Sequence, residues 1–377
     1  MKKALLVTTV SGFVPQFEMN NVRLLQRLGY EVHYASNYDM PSYGDNNDRL
    51  NGTGIVRHQV DFVRSPYSWK NYQAYRQLKK VMKEGQYDLV HCHTPMGGAL
   101  ARIAAHRCRI KNVIYTAHGF HFYKGAPLKN WLIYYTMEYL LSYWTAQQIC
   151  INKEDYETAK KHFHAGRVDY IPGVGLDVDK ISNMKVDGNA VRDKLGIPAG
   201  MQVIVSAGEL IKRKNHETMI RAMEKFKDKN VVYLICGHGE LEGYLKSLTH
   251  SLGLDDKVRF LGYREDIFDI YHIADVFVFP SYQEGLPFAL LEAMACGRAV
   301  VCSRIRGNTD LIEEPEVMFE PEDIDTLVRI VSRILSDADW RKRLEEMNLN
   351  KCKDFDRMKV LKIMETIYRH FEQPKNM

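Results

Sequence analysis

The chain has 377 residues, 45% of them hydrophobic and 26% charged, which excludes a disordered polymer and suits two domains of roughly 150–200 residues. Its formal charge of +5 is too small to mark a nucleic-acid binder, but it hides an asymmetry. Residues 1–170 carry 22 Lys and Arg against 13 Asp and Glu, and the remainder 30 against 34. Either the first half meets an anionic surface or substrate, or its cations simply solvate helices.

After Met1-Lys2-Lys3, the run "ALLV" is too short for a signal peptide and reads as the first strand. Strands are expected at Ala4–Thr9, Glu31–Ala35, Asp88–Cys92, Val113–Ala117 and Gln148–Ile151. A second series follows at Val203–Ala207, Val231–Cys236, Val258–Leu261, Val276–Phe279 and Ala299–Cys302. Most are continuous apolar runs, as parallel strands covered on both faces require. Helical periodicity fills the gaps, at Phe17–Leu28, Tyr72–Lys83, His216–Phe226 and Glu240–Leu252. This rhythm predicts an α/β protein with two Rossmann-like doubly wound parallel sheets and a helical C-terminal segment. Pro172, Gly173 and Gly175 break both patterns. The domains are therefore set at residues 1–171 and 184–357, with a hinge at 172–183 and a final helix, 358–377, crossing back to the first domain. The longest apolar stretch, Trp131 to Ile151, is interrupted by polar residues and does not span a bilayer. Seven cysteines without a C-x-x-C pair fit a reducing cytosol.

In open α/β sheets ligands bind beyond the carboxyl ends of the strands, so the residues that follow strands carry the information. The sharpest such segment is "FVFPSYQEGLPFALLEAMACG". A strand ends at Pro280, a loop holds Glu284 and Gly285, Pro287 opens a helix, and Gly297 closes it. Amides of Gly285, Leu286 and Phe288 suit a phosphate at the helix N-terminus. Glu284 and Glu292 bracket that site, and carboxylates beside a phosphate need hydroxyl partners. The set matches a nucleotide-diphosphate sugar.

"EGLPFALLE" resembles the Glu-x7-Glu signature of retaining GT-B glycosyltransferases of family 4, and the likeness covers essentially the whole chain. "TAHGFHFYKGAP" and "INKEDYETAKK" resemble a branch that builds bacterial exopolysaccharide and capsule. The resemblance implies a GT-B fold with the acceptor bound by the first domain and the donor mainly by the second. It places the donor sugar's hydroxyls on Glu284, the ribose on Glu292, and the distal phosphate and sugar on backbone from Gly285 through Leu286 and Pro287 to Phe288. In "SAGELIKRKN", Lys214 matches the family's diphosphate-binding Lys. Glu209 stands where an Arg is usual, and Lys212 or Arg213 replaces that charge. Gly12, after the first strand, lies in a loop the family uses near the diphosphate, and His118 matches its His at the sugar's reactive face. His121 is read as packing or acceptor contact. Tyr263 and Arg264, beside the turn Gly237-His238-Gly239, are candidates for base recognition.

His91, His93, His118 and His121 could approach one another, but no carboxylate accompanies them at ligand spacing. The Asp-x-Asp pairs at 177–179, 323–325 and 354–356 follow no strand. No cofactor and no metal are expected. The reading is a metal-independent retaining enzyme. It moves a hexosyl or N-acetylhexosaminyl group from a nucleotide sugar, a UDP-sugar, to a lipid-linked saccharide in surface polysaccharide synthesis. A sugar-nucleotide epimerase or a non-catalytic nucleotide-sugar-binding subunit stays open as an alternative. Two basic helical faces, Arg76/Lys79/Lys80/Lys83 and Arg102/His106/Arg109, are expected to dock on an anionic membrane. The protein is placed in the cytoplasm, peripheral at the inner face of the plasma membrane, with no nucleic-acid partner.

Overall fold

The computed structural model describes residues 1–42 and 47–372, and among them the chain builds two parallel sheets. The first contains β1 (Lys2–Val10), β2 (Tyr30–Asn37), β3 (Val56–Gln59), β4 (Leu89–His93), β5 (Val113–Ala117), β6 (Gln147–Cys150) and β7 (Arg167–Tyr170). Their order is β3-β2-β1-β4-β5-β6-β7. The second contains β8 (Gln202–Ala207), β9 (Val231–Cys236), β10 (Val258–Gly262), β11 (Val276–Phe279), β12 (Val300–Ser303) and β13 (Met318–Phe319), ordered β10-β9-β8-β11-β12-β13. Each order reverses once, between β1 and β4 and between β8 and β11, and a reversal of this kind opens a crevice at the carboxyl edge. Central strands are apolar on both faces because helices cover both: Leu5, Leu6 and Val7, like Val203, Ile204 and Val205, are fully buried.

All ten strands expected from the sequence are present. The three that escaped it, β3, β7 and β13, are sheet edges. VRHQ and RVDY are short and largely polar, and MF is only two residues long, so no apolar run announces them.

The chain divides into two compact units, one of Met1–Gly175 with the chain from Met358 onward, the other Leu176–Arg357. Within the first, the helix Arg357–His370 buries Met364, Ile367 and Tyr368, and Lys2 Nζ lies 3.6 Å from Glu372. The Tyr368 hydroxyl is 2.9 Å from His91 Nδ1 in β4. No helix among the described residues is long and apolar enough to cross a membrane.

One expected surface is absent. Arg102 is fully buried in the helix Pro95–Arg107, its Nη1 2.8 Å from Glu138 and its guanidinium 3.8 Å from the Tyr115 ring centre. His106 stacks on Trp144, and Arg109 falls beyond the helix end. Spacing alone misread Arg102, because an apolar environment accepts a guanidinium that is paired. The other face keeps Arg76, Lys80 and Lys83 exposed on the helix Lys70–Gly85.

Candidate active site

In the second unit the loops after β8 and β11 flank the point where the strand order reverses. After Ala207 the chain passes Gly208 into a 3-10 turn, Lys212–Lys214, and Asn215 takes a left-handed backbone (φ 53). Asn215 Nδ2 donates to the Pro280 and Pro321 carbonyls at 3.0 and 2.9 Å. Tyr282 N donates to Arg213 O at 2.8 Å, and Arg213 Nη1 donates to Gln283 O at 2.9 Å. These bonds stitch the loops together. Lys214 Nζ stands 2.8 Å and Arg213 Nη1 3.0 Å from the same Glu284 oxygen. Lys214 Nζ also lies 4.8 Å from the Phe279 ring centre. Burial alone would raise the Glu284 carboxyl, but Lys214 and Arg213 outweigh it and hold it below the usual range. Lys212 is exposed and forms no ion pair with Glu284, so Arg213 supplies the second positive charge. Glu209 is exposed.

Pro287 keeps an extended backbone, its carbonyl accepts from Leu291 N at 3.2 Å, and the helix Phe288–Ala295 follows. The amides of Gly285 and Leu286 donate to no group among the described residues. Unpaired amides at a helix start are suited to an anion. Glu292 lies one turn on, with the Tyr271 hydroxyl 3.4 Å away, and burial pushes its carboxyl up to about 7. Such a group accepts hydrogen bonds from a diol at little electrostatic cost to a nearby phosphate.

Arg306 was missed by the sequence reading. Its Nε donates to the Glu284 carbonyl at 3.2 Å, and it is nearly buried. The available signal was "RIRG" directly after a strand, at the same sheet edge. The Gly237-His238-Gly239 turn packs against the loop after β8. A Cβ on Gly237 (φ +144) would stand 2.0 Å from the Gly208 oxygen, so glycine lets two loop backbones touch. Arg264 is held by Asp266 through bonds of 2.7 and 2.6 Å, and Tyr263 is exposed. Neither bonds to the Glu284 cluster. The Asp-x-Asp residues include helix caps: Asp177 accepts from Lys180 N and Asp323 from Thr326 N.

The first unit's carboxyl edge has another character. Gly12 N donates to Pro41 O at 2.7 Å and the chain winds directly into the turn Val14–Glu18, so this amide is engaged within the protein. The next residue, Phe13, packs edge-on against His118, ring centres 4.9 Å apart. His118 Nε2 is 3.1 Å from His93 Nδ1, and Glu18 is 3.7 Å from that same nitrogen. His91 Nε2 is 2.8 Å from the Thr116 hydroxyl. Burial lowers His118 to about 4 and His91 to about 3, and pushes Glu18 up to about 7 despite a bond from Asn21. The imidazoles are neutral near pH 7. His121 packs on Tyr134, ring centres 4.8 Å apart.

Glu18, His93 and His118 bring three ligand atoms within 4.8 Å of one another and could hold a metal ion. The sequence expectation that no carboxylate joins these histidines is corrected here. Glu18 follows β1, His93 ends β4 and His118 follows β5, and only the sheet order makes them neighbours.

Two family models match: "Glycosyl transferase 4-like" over residues 2–153 and "Glycosyl transferases group 1" over residues 187–351. The chain is 36% identical over 325 residues to the glycosyltransferase EpsD of Bacillus subtilis, covering 84% of this chain and 83% of that one. It is 31% identical over 277 residues to the UDP-Gal:alpha-D-GlcNAc-diphosphoundecaprenol alpha-1,3-galactosyltransferase of Escherichia coli, 71% of each chain. Anabaena HepE in complex with UDP-glucose superimposes with a TM-score of 0.80 at 18% identity, covering 98% of this chain and all of that one. WaaG, a glycosyltransferase of lipopolysaccharide biosynthesis, gives 0.73 at 17%, covering 97% and 99%. Two doubly wound parallel sheets matching these structures define the GT-B fold of glycosyltransferases. The chain belongs to family 4 of these enzymes, resembling its exopolysaccharide members. Membership decides for a transferase over the epimerase or binding subunit.

Proposed function

We propose that this glycosyltransferase moves a hexosyl or N-acetylhexosaminyl group from a UDP-sugar to a lipid-linked saccharide, with retention, in surface polysaccharide synthesis. The observation that carries the reading is the convergence of Arg213 and Lys214 on Glu284 beside the unpartnered amides of Gly285 and Leu286. Two cations and a helix start suit a diphosphate leaving group, and the carboxylate between them suits sugar hydroxyls. Glu292 would take the ribose. The relatives agree with this choice: the Escherichia coli protein's name specifies UDP-Gal and a diphosphoundecaprenol-linked acceptor, and HepE was solved with UDP-glucose.

In the reaction the bond from the anomeric carbon to the diphosphate breaks while the acceptor oxygen bonds on the same face. The acceptor's proton passes to the departing phosphate. Lys214, Arg213 and the amides stabilise the charge that develops there. Neutral His118 donates to a sugar hydroxyl without adding charge. No step requires a metal. The membrane-embedded acceptor places the enzyme in the cytoplasm, peripheral at the inner face of the membrane.

The test incubates purified protein with a panel of nucleotide sugars and a lipid-diphosphate saccharide, then determines the product's anomeric configuration by NMR. Retained configuration and UDP release that depends on acceptor are expected. Inverted product, or UDP release indifferent to the lipid-linked acceptor, overturns the proposal.

A further inference from the structure

A recess of about 1340 Å³ opens at the amino edge of the first sheet, where β4, β5, β6 and β7 begin. β4 runs five residues from Leu89, beside this recess, to His93 in the His118 cluster. At ~3.3 Å per residue the two sites are roughly 13 Å apart along the strand. The recess is therefore separate from the carboxyl edge.

Its lining is strongly cationic. Lys79 and Lys83 come from successive turns of the helix Lys70–Gly85, Arg107 from the end of the next helix, Arg109 and Lys111 from the loop before β5, and Arg167 from the start of β7. None of the six forms an ion pair among the described residues. Asp88 is the one carboxylate in the lining, and it accepts from Lys3 N at 2.7 Å. These residues supply most of the positive excess of the first 170 residues. Gathering like charges in a concavity is unfavourable unless an anion offsets them.

The backbone at Arg109 strengthens the case. Arg109 N donates to His106 O at 3.1 Å and Ile110 N to Ala105 O at 2.9 Å, the Schellman closure of the helix Pro95–Arg107. The left-handed position (φ 61) in this closure favours glycine, yet an arginine occupies it and lines the recess. A side chain kept at a strained backbone position points to a use for that side chain.

We propose that this recess binds a soluble oligophosphate anion, a compound carrying two or more linked phosphates. A single phosphate would leave most of the cations unmatched. A bilayer presents a plane that reaches exposed ridges such as Arg76 and Lys80, whereas cations around a hollow suit an anion that enters it. The site is independent of the donor-site reading.

The test is calorimetric titration of the full-length protein with tripolyphosphate, for wild type, Lys214→Ala and a recess variant combining Lys83→Gln with Arg109→Gln. Circular dichroism and thermal midpoints confirm that each variant folds. Binding that persists in Lys214→Ala, weakens at least tenfold in the recess variant and falls with added salt is expected. Loss in Lys214→Ala with retention in the recess variant would assign the binding to the donor site and overturn the proposal, as would no binding. Sedimentation with phosphatidylglycerol vesicles supplies the other arm. Vesicle binding that needs the recess residues, without tripolyphosphate binding, would replace the soluble ligand with a lipid surface.

Discussion

The two carboxyl edges handle charge in opposite ways. In the second unit a carboxylate is kept ionised in a buried position by two cations, Lys214 and Arg213. In the first, burial without a paired cation leaves His91, His93 and His118 neutral and Glu18 near the neutral point. Fixed charge suits a diphosphate whose negative charge grows on departure, and neutral donors suit sugar hydroxyls. The first unit does contain a buried ion pair, Arg102–Glu138, but Tyr115 and the Gly98 carbonyl enclose it and it belongs to the core. Buried ion pairs in one molecule thus divide into one enclosed by the core and one at the carboxyl edge, where the donor site is proposed.

That division can be broken most directly at Arg102. Arg102→Ala leaves Glu138 buried and unpaired, and should cost about 3–5 kcal/mol of stability in chemical denaturation. A loss below about 1 kcal/mol would mean the pair is dispensable.

The donor pair should respond the other way. Lys214→Ala and Glu284→Gln are each expected to lower kcat/KM ten- to a hundredfold, about 1.4–2.7 kcal/mol, with little change in the unfolding midpoint. Near-normal rates for both variants would remove the donor-site assignment.

The contrast sharpens at Glu18 through pH. Its folded pKa, about 7, lies above the ordinary 4.5. Above pH 4.5 the unfolded carboxyl loses its proton while the folded one keeps it, so a penalty on folding grows up to about pH 7 and then stays constant. Glu18→Gln should therefore be more stable than wild type at pH 8 and equal to it below pH 4.5. A stability difference independent of pH would show that Glu18 is ionised in the fold.

The smallest expected effect is that of a chelator. EDTA should leave turnover unchanged if the Glu18–His93–His118 cluster works through hydrogen bonds alone. Abolition by EDTA, with recovery on adding Mn²⁺ or Mg²⁺, would reassign that cluster as a metal centre.

Much of this was legible in the residues because the relevant signals are local. A parallel strand buried on both faces must be apolar throughout, so its run is visible wherever it is central. Edge strands β3 and β7 lack that constraint, and β13 is only two residues long, so none of the three was visible. Glu284 and Glu292 could be named because a strand end, a glycine and a proline position them within one short segment, and Lys214 through the family resemblance. Arg306 could not, since its bond to the Glu284 carbonyl spans separate loops.

The sequence by itself determined the layered architecture, the donor-type loop and the charge asymmetry, all consequences of periodicity and composition along a contiguous stretch. Only the tertiary structure decided which charges face one another. It buried Arg102 against Glu138, set Glu18 beside His93, turned Arg264 onto Asp266, and gathered six cations around one recess. Coulombic and desolvation energies depend on distance and on exclusion of water, and neither is encoded in linear spacing.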